Sequence, residues 1–119
     1  MEPVELKTQL FRDTPHAGRA FVGGLTGEAR HALSASTVRV HLRVEAGVIS
    51  EARYEVRGCP DLIAALDLAV QSLVNQLVSS WALDLRAIAQ AVGAPTAKLG
   101  KLLTIEDAIR AAAIGFAER

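Results

Sequence analysis

The chain contains little of several residue types that mark common functional classes. Cysteine occurs once, as Cys59, which excludes an intramolecular disulfide framework and is typical of a reducing compartment. Aromatic residues make up only 4% of the chain, which argues against a base-stacking platform. The 13 basic residues are balanced by 13 acidic residues, so no excess of cations is available for phosphates or anionic lipids. We therefore expect neither nucleic acid nor a membrane as a partner.

Long hydrophobic runs are also missing. The longest apolar stretch is interrupted by Asp67, Gln71 and further polar residues, so no segment is suited to crossing a membrane. The first five residues lack the basic and apolar regions of a signal peptide. Hydrophobic residues nevertheless make up 50% of the 119 residues, which is enough for one core. We expect a soluble, cytoplasmic protein with a single domain over residues 1–119.

Two segments alternate between apolar and polar residues, as half-buried strands do. Over residues 37–45, three valines and Leu42 alternate with charged residues and His41, and residues 48–57 continue the pattern after Ala46-Gly47. This pattern predicts an antiparallel hairpin with one buried face and with His41 on the solvent face. The glycine-rich segment 18–27 is predicted to contribute a short edge strand and a loop.

The remaining segments have helical patterns. A short helix is predicted over residues 4–12, and a strongly apolar helix over 60–78, buried on one side by the sheet and on the other by a helix or a second subunit. Asp84 is the expected N-cap of a helix through Val92, and Thr104 the expected N-cap of the last helix. Strands followed by helices predict an α+β fold, with helices packed on one face of a small antiparallel sheet of about three strands.

Cys59 lies at the junction between the predicted hairpin and the apolar helix. Gly58 precedes it, and Pro60 suits the first position of the helix. The unpaired backbone N–H groups at a helix N-terminus favour a thiolate over a thiol. Two interpretations remain open at this point: a reactive thiol, or a small buried side chain, since free cysteine is among the most buried residue types.

Several groups of residues occur in an order and spacing that resemble a known family. They are Thr14-Pro15-His16-Ala17-Gly18, then Gly58-Cys59 followed by Ile63-Ala64, and a C-terminal set of Ile88-Ala89-Gln90, Pro95, Lys98-Leu99 and residues 106–112. Together they resemble the NifU/IscU family of iron–sulfur cluster assembly scaffolds along essentially the whole chain. The resemblance implies the family's α+β fold, its process, and an iron–sulfur cluster, iron or zinc as the bound group.

The ligand set that the resemblance implies is largely absent. The family uses three cysteines helped by an aspartate and a histidine, and only the middle cysteine is retained, as Cys59. Ser34-Ala35-Ser36 stands where the family has Cys-Gly-Asp, and Gly100-Lys101 where it has His-Cys. A [2Fe–2S] cluster requires about four ligands of the thiolate class. We therefore expect a degenerate scaffold with no certain cofactor, and a homodimer that brought two copies of Cys59 together would still fall short.

Three functional hypotheses follow for this chain. It belongs to iron–sulfur cluster assembly as a degenerate scaffold; or Cys59 accepts sulfur as a persulfide, since Gly58-Cys59 is similar to the site of SufE-type sulfur acceptors; or the fold is kept as a non-catalytic interaction module. The expected partners are a cysteine desulfurase or other iron–sulfur assembly proteins. None of the three is a turnover enzyme. An interaction module predicts a buried Cys59 and an exposed apolar patch near Trp81 or on the outer side of the 60–78 helix.

Charged and imidazole groups could modify the chemistry of Cys59. The resemblance implies that Lys101 lies within reach of Cys59, where its cation would favour the thiolate, whereas Asp61 would oppose it. Lys101 is thus a candidate electrostatic helper. For His16, His31 and His41, a surface role is a better prediction than metal ligation.

Overall fold

A computed structural model of the chain describes residues 2–3, 5–7 and 16–117. Three antiparallel strands form one sheet in the order β1-β2-β3: β1 is Leu25–Arg30, β2 is Thr37–Glu45 and β3 is Val48–Arg57. The bounds of the predicted hairpin are confirmed. Its turn is Ala46-Gly47, and both residues have positive φ angles (53° and 78°). A two-residue hairpin turn needs such angles to match the twist of the flanking strands.

The helices follow the sheet in sequence. α1 is Pro60–Leu73, α2 is Leu85–Ala91, a 3₁₀ turn covers Thr96–Lys98, and α3 is Leu99–Ala117. Asp84 is the N-cap of α2, as predicted, because its side chain accepts a hydrogen bond from the backbone N–H of Ala87. α1 packs on β3, and α3 packs on β1 and β2, which confirms the α+β class with helices on one face of the sheet.

The predicted partner of α1 is found within this chain. Nine of its fourteen residues are buried, between β3 on one side and α2 and α3 on the other. Its apolar stripe is therefore covered without a second subunit.

Two predicted helix limits were wrong. α1 ends at Leu73 instead of residue 78, because the next residues bond to the β2–β3 end of the sheet: Asn75 (φ 77°) donates to Ile49 O, and Val78 donates to Gly47 O. Thr104 is not an N-cap. It lies inside α3 and is buried, because the helix starts earlier, at Leu99, directly after the 3₁₀ turn that follows Pro95.

The expectation for the edge strand is corrected by the structure, and the expectation for the first helix falls mostly outside the described residues. The edge strand β1 begins only at Leu25, because Phe21–Gly24 form a turn in which Gly24 N donates to Phe21 O. The predicted helix 4–12 falls mostly on residues that the structure does not describe; within it, residues 5–7 are helical. Among the described helices, none has the length and apolar character needed to cross a membrane.

His41 is not on a solvent face, although its strand is oriented as predicted. Its ring is 1% exposed, with Nδ1 at 2.9 Å from Thr26 Oγ1 and Nε2 at 2.8 Å from Glu55 Oε1. On this side of the sheet, the Phe21 ring stacks between Arg43 and Arg53, whose guanidinium carbons lie 4.8 and 4.3 Å from its centroid. His41 is therefore enclosed by contacts with the two neighbouring strands, which period-two alternation cannot indicate.

Gly27 sets how closely β1 can approach α3. A Cβ built on Gly27 would lie 2.1 Å from Ala108 O and 2.2 Å from Ala112 N, well inside contact distance. The strand and the helix backbone therefore touch directly, and this contact fixes α3, which carries Lys101, against the sheet.

Replacing Gly27 by alanine is expected to lower the free energy of unfolding by about 2 kcal/mol or more, because the helix must move to admit one methyl group. Urea unfolding measures this. The control is Gly100→Ala: Gly100 also lies in α3, but nothing is within 4 Å of its built Cβ. There the substitution should be neutral or stabilising by up to about 1 kcal/mol. Equal effects of the two substitutions would contradict the direct contact.

Candidate functional site

Cys59 is the N-cap residue of α1. Its backbone is extended (φ −81°, ψ 165°), its carbonyl accepts the first helical bond from Ile63 N at 3.1 Å, and Pro60 begins the helix. The thiol makes no side-chain capping bond and is partly buried. Sγ therefore lies at the electropositive end of α1 and is not fully enclosed in the core.

Two ammonium groups face this thiol. Lys101 Nζ is 3.7 Å from Cys59 Sγ, and Lys98 Nζ is 3.9 Å from it. The start of α3 presents Lys101, and the preceding 3₁₀ turn presents Lys98. The family resemblance implies the position of Lys101, whereas no sequence motif indicates that Lys98 lies here.

Asp61 joins the same group from the first turn of α1. Its carboxylate is 5% exposed, with Oδ2 at 2.5 Å from Lys98 Nζ and Oδ1 at 2.9 Å from Lys7 Nζ. Burial by itself raises the pKa of Asp61, but the hydrogen bond from Lys98 and the ion pair with Lys7 outweigh it and hold the pKa below its ordinary value. The pKa of Lys98 is raised, chiefly by its hydrogen bond to Asp61. Both residues are therefore charged at neutral pH.

The positive charges in the site outnumber the negative ones. The chain has three lysines, Lys7, Lys98 and Lys101, and all three contact Cys59 or Asp61. Asp61 compensates Lys98 and Lys7. No ion pair links Lys101 to a carboxylate in the described part of the chain, so its closest charge partner there is the thiol. Lys7 is far from Lys98 and Lys101 in the sequence, so the clustering of the three lysines is visible only in the folded structure.

The loop between β1 and β2 brings Ser34 and Ser36 to the same end of the molecule. His31 Nδ1 lies 2.8 Å from Ser34 Oγ, which lies 2.9 Å from Ser36 Oγ. Ser36 is buried against Gly58: a Cβ built on that glycine would be 3.4 Å from Ser36 Oγ. Three segments therefore converge at one end of the sheet: the loop that carries Ser34 and Ser36 (the serine loop), Gly58-Cys59 and Gly100-Lys101.

The comparisons with known proteins decide the family. The family described as NifU-like N terminal domain matches residues 9–119. The chain belongs to this family. No curated protein matches the sequence significantly.

Solved structures share the fold at low sequence identity. The chain is similar to a nitrogen-fixing NifU-like protein (N-terminal) from Brucella abortus, with a TM-score of 0.75 and 14% identity over 98% of this chain and 96% of the other. It is also similar to a putative iron–sulfur cluster assembly scaffold protein for the SUF system from Fervidobacterium islandicum AW-1. That match has a TM-score of 0.66 and 12% identity over 88% of this chain and 94% of the other.

The donor set at the NifU-like site does not fit an iron–sulfur cluster. A cluster needs about four thiolate-class ligands, whereas these positions provide one thiol, neutral hydroxyls and an ammonium group. Lys101 would repel a metal cation bound to Sγ from 3.7 Å away. Among the residues that the structure describes, no three His, Cys, Asp or Glu side chains are grouped as metal ligands.

No histidine contacts Cys59 among the described residues. His41 is buried in the sheet, and His31 bonds to Ser34. His16 Nδ1 lies 3.1 Å from Asp67, a fully buried carboxylate of α1 that also accepts bonds from Tyr54 Oη (2.7 Å) and Gln71 Nε2 (2.8 Å). In the sequence, Asp67 is recognisable only as a break in an apolar run. Its Asp-x-x-x-Gln spacing was the available signal for this network.

Ala35 has the backbone conformation of a glycine. Its φ is 56°, in the left-handed region, where a Cβ costs about 1–2 kcal/mol. The resemblance sets this position against the glycine of the family's Cys-Gly-Asp. Alanine therefore occupies a turn position that glycine would fit with less strain.

Substituting Asp61 by asparagine is expected to reduce the free energy of unfolding at pH 7 by about 2 kcal/mol, since two ammonium groups lose their charged acceptor. The folded pKa of Asp61 is lowered, so its contribution is complete above the unfolded pKa and is lost as the pH falls through the folded pKa. The difference between wild type and variant should therefore shrink below about pH 4.

Urea unfolding between neutral and acid pH measures this, with Asp107→Asn as the control. Asp107 pairs with Arg110 on the surface, so its loss should change stability by less than about 0.5 kcal/mol. A pH-independent effect of Asp61→Asn would contradict the charged cluster.

Ala35→Gly is expected to raise the free energy of unfolding by about 0.5–1 kcal/mol, because relief of the left-handed strain exceeds the added entropy of the unfolded chain. The control is Ala32→Gly in the same loop, where φ is not positive and the substitution should destabilise. Thermal or urea unfolding measures the stability of both variants. Destabilisation by Ala35→Gly would show that the loop is not strained.

Proposed function

We propose that the protein acts in iron–sulfur cluster assembly as a single-thiol sulfur acceptor, with Cys59 receiving sulfur from a cysteine desulfurase in the cytoplasm. The observation that carries the proposal is the pair of ammonium groups within 4 Å of a partly buried Sγ at a helix N-terminus. Cations at this distance stabilise negative charge that develops on sulfur during a nucleophilic attack. Membership of the NifU-like family supports the process.

The transfer step conserves atoms and electrons. The Cys59 thiolate attacks the outer sulfur of a persulfide on the donor, a new S–S bond forms at Cys59, and the donor's S–S bond breaks. The donor leaves as a thiolate, so one sulfur atom moves without net oxidation or reduction. Lys101 stabilises the attacking thiolate and then the terminal persulfide anion, because its charge lacks a carboxylate partner in the described part of the chain. Asp61 limits the contribution of Lys98 by holding that ammonium group.

Sulfur acceptance accounts for the changes at the family's ligand positions better than cluster building does. A scaffold needs several soft anionic ligands facing one metal site, whereas an acceptor needs one thiolate and a cation. Serine at positions 34 and 36 removes two ligands, and lysine at position 101 replaces a third ligand with a cation. These are the replacements that suit an anionic sulfur species.

An interaction module is the second candidate, supported by a different surface. An open groove of about 590 Å³ between α2 and α3 is lined by Leu83, Leu85, Leu99 and the half-exposed Leu103, among others. The patch expected at Trp81 has less support, since Trp81 is only partly exposed and Arg110 lies 5.9 Å from its ring centroid. A docking role would need no chemistry at Cys59.

The proposal predicts that Cys59 gains one sulfur atom when the protein is incubated with a cysteine desulfurase and L-cysteine. Intact-protein mass spectrometry followed by peptide mapping measures this. Lys101→Met should slow the transfer at neutral pH about tenfold, because the thiolate loses its uncompensated cation. Lys101→Arg keeps the charge and should retain most of the rate.

Cys59→Ser is the negative control and should gain no sulfur. Absence of sulfur on wild-type Cys59, in a folded sample with an active desulfurase, would overturn the proposal and leave the groove as the functional surface. Equal rates for Lys101→Met and wild type would remove Lys101 from the mechanism.

A further inference from the structure

A second site lies beside Gly58, on the side of the sheet that the helices do not cover. A row of residues crosses the three strands here: Arg30 on β1 pairs with Thr37 on β2, which pairs with Arg57 on β3. Thr37, Arg39 and His41 share this face, because the intervening valines point into the core. The row ends at the serine loop, and the row and the loop together line an open pocket of about 340 Å³.

The chemistry of this pocket is that of an anion site. Arg30 and Arg57 flank it, hydroxyl groups come from Ser34, Ser36 and Thr37, and no carboxylate lines it. With strands about 4.8 Å apart, the two arginine Cα atoms are separated by about 10 Å. Two long guanidinium side chains can therefore close on a small ion from opposite sides, and each can donate two parallel hydrogen bonds to an oxyanion.

No ion pair engages Arg30 or Arg57 among the described residues, although Arg57 also lines a neighbouring pocket with Glu28 and Glu55. The nearest carboxylates on the same face belong to the next row and are already bound: Glu28 pairs with Arg39 at 3.3 Å, and Glu55 bonds to His41 at 2.8 Å. The pocket therefore holds two cations whose repulsion a bound anion would relieve.

The serine loop adds an oriented donor. When His31 carries a proton on Nδ1, it donates to Ser34 Oγ, and Ser34 can donate in turn to Ser36 Oγ. The hydroxyl proton of Ser36 is then unused, although Ser36 is only 4% exposed and lines the pocket. In this arrangement of protons, an anion in the pocket would accept the Ser36 hydrogen bond.

From this arrangement we infer that the pocket formed by Arg30, Ser36 and Arg57 binds a small tetrahedral oxyanion of the phosphate or sulfate type. The site is distinct from the thiol site, because its lining does not include Cys59, Lys98 or Lys101. Where the family has a cysteine and an aspartate for metal binding, this chain has hydroxyl donors beside arginines, which reverses the sign of the charge that is bound.

Calorimetric titration of the full chain with inorganic sulfate and, separately, inorganic phosphate tests the inference, with chloride at matched ionic strength as the background. We expect saturable binding of at least one of the two anions, and the tighter one identifies the ligand. Arg30→Gln and Arg57→Gln should each weaken binding at least about tenfold, and Ser36→Ala about fivefold. The control is Arg86→Gln, which makes the same change of charge on α2 and should leave affinity unchanged.

Amide chemical shifts locate the bound ion independently of any variant. Sulfate or phosphate should move the signals of residues 34–37 and 57–58, and Cys59→Ser should bind as wild type does. The inference is overturned by a lack of saturable binding, by an equal loss in Arg86→Gln, or by shifts centred on Lys98 and Lys101. Because Cys59→Ser abolishes sulfur acceptance but keeps the pocket, failure of one proposal is distinguishable from failure of the other.

Discussion

The geometry around Cys59 depends on the buried carboxylate of Asp61. It lies in the first turn of α1, is 5% exposed, and binds Lys98 from the start of the C-terminal helical region and Lys7 from the N-terminal segment. A carboxylate so far from water requires compensating charge. By meeting that requirement, Lys98 fixes the 3₁₀ turn beside the N-terminus of α1, and α3 then presents Lys101 to Cys59. The same cluster of charged residues therefore stabilises the fold and surrounds the thiol of Cys59.

Much of the fold could be predicted from the sequence, because its main elements are determined locally. The bounds of β2 and β3 follow from period-two alternation, and Asp84 caps α2 by a local hydrogen bond. The errors arise where distant contacts override local patterns. α1 ends at Leu73 because residues 75–78 bond to the turn end of the β2–β3 hairpin. His41 is buried, although it lies on the face opposite the helices, and bonds to Thr26 on β1 and Glu55 on β3.

The site was predicted only in part, for the same reason. Cys59 and Lys101 could be identified because the family resemblance implies their proximity, whereas the roles of Lys98 and Lys7 depend on tertiary geometry alone. The strain at Ala35 and the row Arg30–Thr37–Arg57 required the backbone conformation and the strand register. Together these features describe a NifU-like fold in which two lysines lie beside Cys59 and serine hydroxyls lie beside Gly58, and both proposals rest on this arrangement.

The most direct test of this account is the rate at which iodoacetamide alkylates Cys59 at neutral pH in the native protein, compared with the same chain unfolded in urea, with and without zinc. The account predicts that the native thiol reacts at least as fast as the unfolded one, because the Lys101 ammonium group 3.7 Å from Sγ stabilises negative charge on the attacking sulfur. It also predicts that zinc gives no protection. A native thiol that reacts only after unfolding would make Cys59 a core residue. Protection by zinc would restore a metal site. Either result would contradict the central claim.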